Sequence, residues 1–203
     1  MKLFFSPTSP YVRKVVVAAR ELGILDRLEL VVTSASPVDS GAPIQGHNPL
    51  GKVPALLLDD GTVLFDSRVI AEYLDGQAGG AKLFPEGAAR WPAIVLQALA
   101  DGMLDAAILT RYEQVLRPAE KRWPEWVEGQ MNKVVRGLDQ LEQRWTGHLS
   151  GPLDIGCIAA GCALGYLDFR YPDLGWRAER PALASWYEGF AARPAMQATE
   201  PKG

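Results

Sequence analysis

The residue types able to do chemistry cluster in four short stretches. Ser9-Pro10 opens an apolar run. Serine caps a helix well, and proline fits the first helical position because its φ is fixed and its missing N–H is not needed there. Asp66-Ser67 opens a second run, Val69-Ile70-Ala71-Tyr73-Leu74, whose apolar spacing is helical. A helix start presents free N–H groups and the positive end of the dipole, which suits an anion. Asn48-Pro49-Leu50-Gly51-Lys52-Val53-Pro54 leads into the apolar Ala55-Leu56-Leu57-Leu58. Pro54 has no N–H to donate, so it must begin its strand or lie at an edge. Were the Val53–Pro54 bond cis, the chain would double back and leave the Val53 N–H and C=O open to another extended backbone. Arg111-Tyr112-Glu113 is a polar group late in a long helical pattern.

The other reactive types read as structural. Cys157 and Cys162 lie five apart in one apolar segment, which suits packing, excludes a disulfide scaffold and is poor for joint metal ligation. No metal is expected. His47 is expected at the surface, and His148 reads as an isolated loop residue.

The 203-residue chain is 48% hydrophobic and 22% charged, with a formal net charge of −3. No basic excess points to nucleic acid. Apolar runs are interrupted before about 18 residues, so no membrane span is expected. Met1-Lys2-Leu3-Phe4-Phe5 meets Ser6-Pro7 too soon for a signal-peptide core. A cytoplasmic protein is the expectation.

The elements that must position these residues follow from pattern. Lys2–Phe5 reads as a strand, Tyr11–Leu22 as a helix stopped by Gly23, and Leu28–Val32 as a strand parallel to the first. In the helix, Arg13, Lys14, Arg20 and Glu21 form the polar side of a wide apolar surface. Thr33–His47 reads as a loop with one irregular helical turn. Asp60-Gly61 between apolar runs signals a type I′ hairpin, and Ser67–Leu74 a helix. Residues 79–87 form a linker between a domain at 1–78 and one at 88–203 that has helical patterns alone. There, Ala89–Leu116 is a long helix with a potential kink at Gly102. Val127–Trp145 is amphipathic, Ile155–Phe169 is apolar nearly all round and central, and Pro181–Ala192 is the last helix. The fold class is α/β thioredoxin-like at the N-terminus, followed by an all-α C-terminal domain.

Asn48 to Leu74 and again Leu153 to Leu167, and more loosely the rest of the chain, resemble the glutathione S-transferase superfamily. The resemblance implies glutathione as a substrate. Its cysteinyl part would pair with Val53 before Pro54, its γ-glutamyl carboxylate would sit at Ser67, and Asp66 would accept from its ammonium. Lys52 would reach the glycyl carboxylate, with Gln45 and His47 as competitors. Ser9 would donate to the sulfur and favour thiolate, as a helix start also does for cysteine; Thr8 and Ser6 are rivals. Ser9-Pro10-Tyr11-Val12 has the outline of a Cys-Pro-Tyr-Cys redox site without either cysteine, so thiol–disulfide exchange there is out.

The resemblance further implies a homodimer and an electrophilic, partly apolar co-substrate, for which Tyr11, Arg111, Tyr112 and Trp176 are the pocket candidates. Asp154 matches the aspartate that starts the family's central helix, but Gly151 replaces the Ser/Thr three residues earlier, so the reciprocal cap cannot form. Two alternatives remain: a non-catalytic glutathione-binding or protein-interaction member, and a glutathione-dependent isomerase or dehalogenase.

Overall fold

The computed structural model describes residues 1–39 and 42–201. Part of the expected loop, residues 40–41, and the last two residues of the expected second domain lie outside that description. The chain forms two compact units, Met1–Trp91 with Arg193–Gly203, and Pro92–Ala192.

The first unit is built on a four-stranded mixed sheet. Its strands are β1 (Lys2–Phe5), β2 (Glu29–Val32), β3 (Ala55–Leu57) and β4 (Val63–Leu64), in the order β2-β1-β3-β4. β1 runs parallel to β2, with Leu3 opposite Leu30; β3 is antiparallel to β1, with Phe4 opposite Ala55. β4 returns antiparallel to β3, with Leu56 opposite Leu64. Side chains alternate across a strand. Phe4 and Ala55 therefore share one face with Ala42, Ile44, Val53 and Val63. Leu3 and Leu56 take the other face and are fully buried.

Helices α1 (Pro10–Glu21) and α2 (Ser67–Gln77) pack against each other, burying Val12, Val15, Val17, Ala18, Ile70, Ala71 and Leu74. The hairpin differs from the expected type I′ turn. Only Gly61 has positive φ (88°), Leu58 N–H donates to Thr62 O, and Asp60 Oδ1 accepts from Thr62 N. One left-handed residue suffices in a three-residue loop, whereas type I′ needs two.

The polar side expected for α1 is also buried, at Arg13 and Lys14. Arg13 Nη2 donates to Met196 O at 2.9 Å and its Nε to Thr199 Oγ1 at 3.3 Å. Arg193 grips Glu21 through two bonds of 2.9 and 2.7 Å. The C-terminal segment, with helix α8 (Pro194–Gln197), thus belongs to the first unit rather than to the helical one. After α2, Asp75 gathers the chain: its carboxylate accepts from the N–H groups of Lys82, Leu83 and Phe84.

The second unit is helical. Helix α3 (Arg90–Val115) runs unbroken through Gly102 and contributes residues from Pro92 onward. By length and composition Gly87–Val115 is apolar enough to cross a membrane, contrary to expectation, but 56% of its most apolar window is buried inside the protein. Helix α4 (Pro124–Gln140) passes into a π-helical turn (Leu141–Trp145) and the short α5 (Thr146–Leu149). Helix α6 (Ile155–Arg170) is buried on every side from Ile155 to Leu167. Two glycines allow this close approach. A Cβ at Gly156 would lie 2.7 Å from Ala93 O, and one at Gly161 would lie 2.3 Å from the Phe190 ring on α7 (Pro181–Ala191).

Candidate functional site

Strand register gathers three of the four reactive stretches at one end of the sheet. Phe5 ends β1 where the antiparallel β3 begins, so the Ser6–Ser9 turn and Val53-Pro54 share that end. Leu64 is opposite Leu56, so the chain leaves β4 for Asp66-Ser67 at the same end.

Each stretch is locked by local bonds. Ser9 is the N-cap of α1, and its Oγ accepts from Val12 N–H at 3.3 Å. Among the described residues that hydroxyl has no acceptor for its own proton. Ser6 and Thr8 hydroxyls instead face each other at 3.5 Å. Buried Asn48 holds the approach to Val53: its Nδ2 donates to Lys52 O at 2.9 Å and its Oδ1 accepts from Leu50 N at 3.0 Å. Gly51 N–H donates to Asn48 O, and Gly51 has φ +63°, which glycine adopts readily. The Val53–Pro54 bond is cis, as is Phe65–Asp66. Neither the Val53 N–H nor its C=O has a hydrogen-bond partner among the described residues. Pro54 is buried and Lys52 exposed, and the lysine has no counter-charge among the described residues.

At α2 the cap is Asp66, not Ser67. Asp66 Oδ1 accepts from Arg68 N at 2.9 Å, and Oδ2 lies 3.5 Å from Arg68 Nε. Ser67 is the first helical residue and is 2% exposed. An aspartate caps as well as a serine does, so sequence alone leaves a one-residue ambiguity. His47, expected at the surface, is half-buried and stacks on Phe4 with centroids 4.0 Å apart. Gln45 turns to Asp39 O at 3.0 Å. Tyr11 is half-buried at the start of α1, its ring centroid 6.0 Å from Lys14 Nζ.

In the helical unit, Arg111 is half-buried and Tyr112 is 37% exposed. Trp176 is a correction: its side chain is 2% exposed, its Nε1 donates to Asp168 at 2.9 Å and its ring packs on Tyr187. It is a core residue with no surface to offer a ligand. Beside Arg111, Tyr171 OH and Thr110 Oγ1 lie 2.5 Å apart and both reach the Ala107 carbonyl. These bonds tie the end of α6 to α3. Burial pushes the Tyr166 hydroxyl up to about 12 and raises Tyr112 and Tyr171 as well. All three therefore stay protonated donors at neutral pH.

His148 is the second correction. Its Nε2 lies 2.7 Å from Asp154 Oδ2, while Asp154 Oδ1 caps α6 by accepting from Cys157 N at 3.0 Å. The side-chain partner that Gly151 cannot supply to Asp154 comes from His148. Ligand-type atoms of His148, Asp154 and Cys157 fall within 4.8 Å of one another. The Asp154 carboxylate is engaged on both oxygens, by the helix start and by His148, and burial pushes the Cys157 thiol up to about 12.

Comparison with known proteins agrees with this layout. Residues 8–77 match the glutathione S-transferase N-terminal domain and residues 124–189 its C-terminal domain. The chain is similar to a glutathione transferase family member of Pseudomonas fluorescens Pf-5 solved with bound glutathione. The two share 51% identity over 100% of this chain and 99% of that one, with a TM-score of 0.97. A second structure of a Pf-5 family member, holding S-(propanoic acid)-glutathione, gives 50% identity, full coverage of both chains (100% each) and a TM-score of 0.93. The uncharacterized GST-like protein YibF of Escherichia coli K12 is 35% identical over 99% of this chain and 98% of its own length.

Proposed function

This chain belongs to the glutathione S-transferase family, and from that premise we propose that it is a glutathione transferase acting on an electrophilic, partly apolar co-substrate. Glutathione lies extended along Val53, whose main-chain N–H and C=O pair with its cysteinyl part in a short strand addition at Pro54. The γ-glutamyl carboxylate takes the N-terminus of α2 and the Ser67 hydroxyl, Asp66 accepts from the ammonium through the oxygen not used as the cap, and Lys52 neutralises the glycyl carboxylate. Family membership and the glutathione held by the Pf-5 relative support this ligand.

Ser9 is the proposed catalytic residue, and one observation carries the assignment. Its oxygen is spent on the helix, accepting from Val12, while its proton is unspent among the described residues. That proton goes to the glutathione sulfur. Together with the positive end of α1 it favours thiolate, and the thiol proton passes to solvent. The sulfur then forms its bond to the electrophilic carbon, and the displaced electron pair leaves with the leaving group or is protonated by water. Serine at this position excludes a mixed disulfide, so conjugation, isomerisation or dehalogenation is favoured over reduction. Tyr11, Arg111 and Tyr112 serve the co-substrate. The protein works as a cytoplasmic homodimer.

Calorimetric titration with glutathione, followed by turnover against a panel of aryl halides and activated alkenes, tests the assignment. Saturable binding with turnover is expected. Binding without turnover across the panel leaves the non-catalytic alternative; no binding at all removes the reading.

A further inference from the structure

Three arginines of the helical unit are paired with carboxylates. Arg180 meets Asp139 at 2.6 Å, Arg177 meets Asp168 through two bonds of 2.6 Å, and Arg117 meets Glu113 at 2.6 Å. Arg111 and Arg170 are different. Both are half-buried, and among the described residues neither has a carboxylate partner. Arg170 Nε is buried with no hydrogen-bond acceptor. The Arg170 guanidinium stacks on the Phe169 ring at 3.8 Å, which fixes its plane.

The two cations are also held close together. The Tyr171–Thr110–Ala107 bonds fasten the end of α6 to α3 one residue away from each arginine. The Arg111 charge and burial together push the Arg170 guanidinium below its usual range. The protonated Tyr166 hydroxyl sits beside Arg170. A buried donor without an acceptor is costly, and so are two like charges in a partly desolvated place. A bound anion relieves both.

We propose that Arg111 and Arg170 form a carboxylate-binding site in the helical unit, one that takes an organic acid. The planar fork of a guanidinium matches a carboxylate through two parallel bonds. The neighbouring rings of Phe169, Tyr112 and Tyr166 suit an apolar or aromatic body on the same molecule.

The test titrates benzoate calorimetrically into the full chain, beside its neutral counterpart benzamide. The acid is expected to bind about 10- to 100-fold more tightly than the amide, as for a hydrogen bond to a charged group. Arg111→Gln brings acid and amide within about twofold, and Arg111→Lys restores part of the preference. Benzoate bound no better than benzamide overturns the proposal. A preference that survives both Arg111→Gln and Arg170→Gln also overturns it.

Discussion

Replacing Ser9 by alanine removes two things at once, and a second substitution separates them. The first is the cap. Ser9 Oγ accepts from Val12 N–H at 3.3 Å, and losing such a cap costs about 1 kcal/mol. In a chain of this size that lowers Tm by about 2–4 °C. The second is the proposed bond to sulfur. A hydrogen bond to a charged acceptor contributes about 1.5–3 kcal/mol, and one pKa unit corresponds to about 1.4 kcal/mol. The bound glutathione thiol is then expected to titrate about 1–2 units higher in Ser9→Ala.

The sign follows from the reactive form. Donation to thiolate depresses the pKa, so the loss is greatest below the wild-type value and vanishes above that of the variant. kcat/KM should fall about 10- to 100-fold on the acid side and recover as pH rises. Ser9→Asp keeps a good cap but has no proton to give and sets a negative charge beside the sulfur. Its Tm should hold while its rate falls at least as far as that of Ser9→Ala. The assays are kcat/KM against pH, the ultraviolet absorbance of bound thiolate and thermal melting. A Ser9→Ala enzyme with a lowered Tm but an unmoved pH midpoint would refute the reasoning and leave Ser9 as a cap alone.

Other expectations concern stability and accessibility. Asp75→Ala strands three backbone donors behind α2 and should destabilise the protein by about 2–4 kcal/mol, read from urea midpoints. Gly156→Ala drives a methyl against the Ala93 carbonyl, with the packed Leu96 beside it; the expected outcome is a loss of about 1–3 kcal/mol or failure to fold, seen by circular dichroism. Burial lifts Cys157 from the usual 9.0 to about 12, so the folded state holds a proton that the unfolded state sheds. Stability should therefore decline as pH rises past about 9, by at most about 1.4 kcal/mol per unit from this thiol, and Cys157→Ala should flatten that decline. Alkylation of Cys157 should likewise be slow until denaturant is added.

What the sequence discloses is what its near neighbours determine. Ser9-Pro10 marks the start of α1 because cap and first-turn preferences are local, and Asn48 to Pro54 is shaped by bonds within five residues. Asp66 and Ser67 compete for one role within a single step, and only the backbone geometry chooses between them. Arg13 reads as surface by helical periodicity, but its partners are more than 180 positions away (|i−j| of 183 and 186). His148 seems isolated because its partner waits on the far side of a turn. Arg170 escapes notice entirely, since it closes an apolar helix and its significance lies in what α3 brings beside it.

The fastening of the C-terminal segment onto α1 has a consequence for biosynthesis. The amino acids of the first unit are nearly all translated before the helical unit begins, yet Met196 and Thr199 are made only after it. At ordinary elongation speeds the intervening hundred or so residues take roughly 5–20 s. For that interval the arginine that will clasp them waits unsatisfied on a nascent helix, and the half of the protein made first is the half completed last.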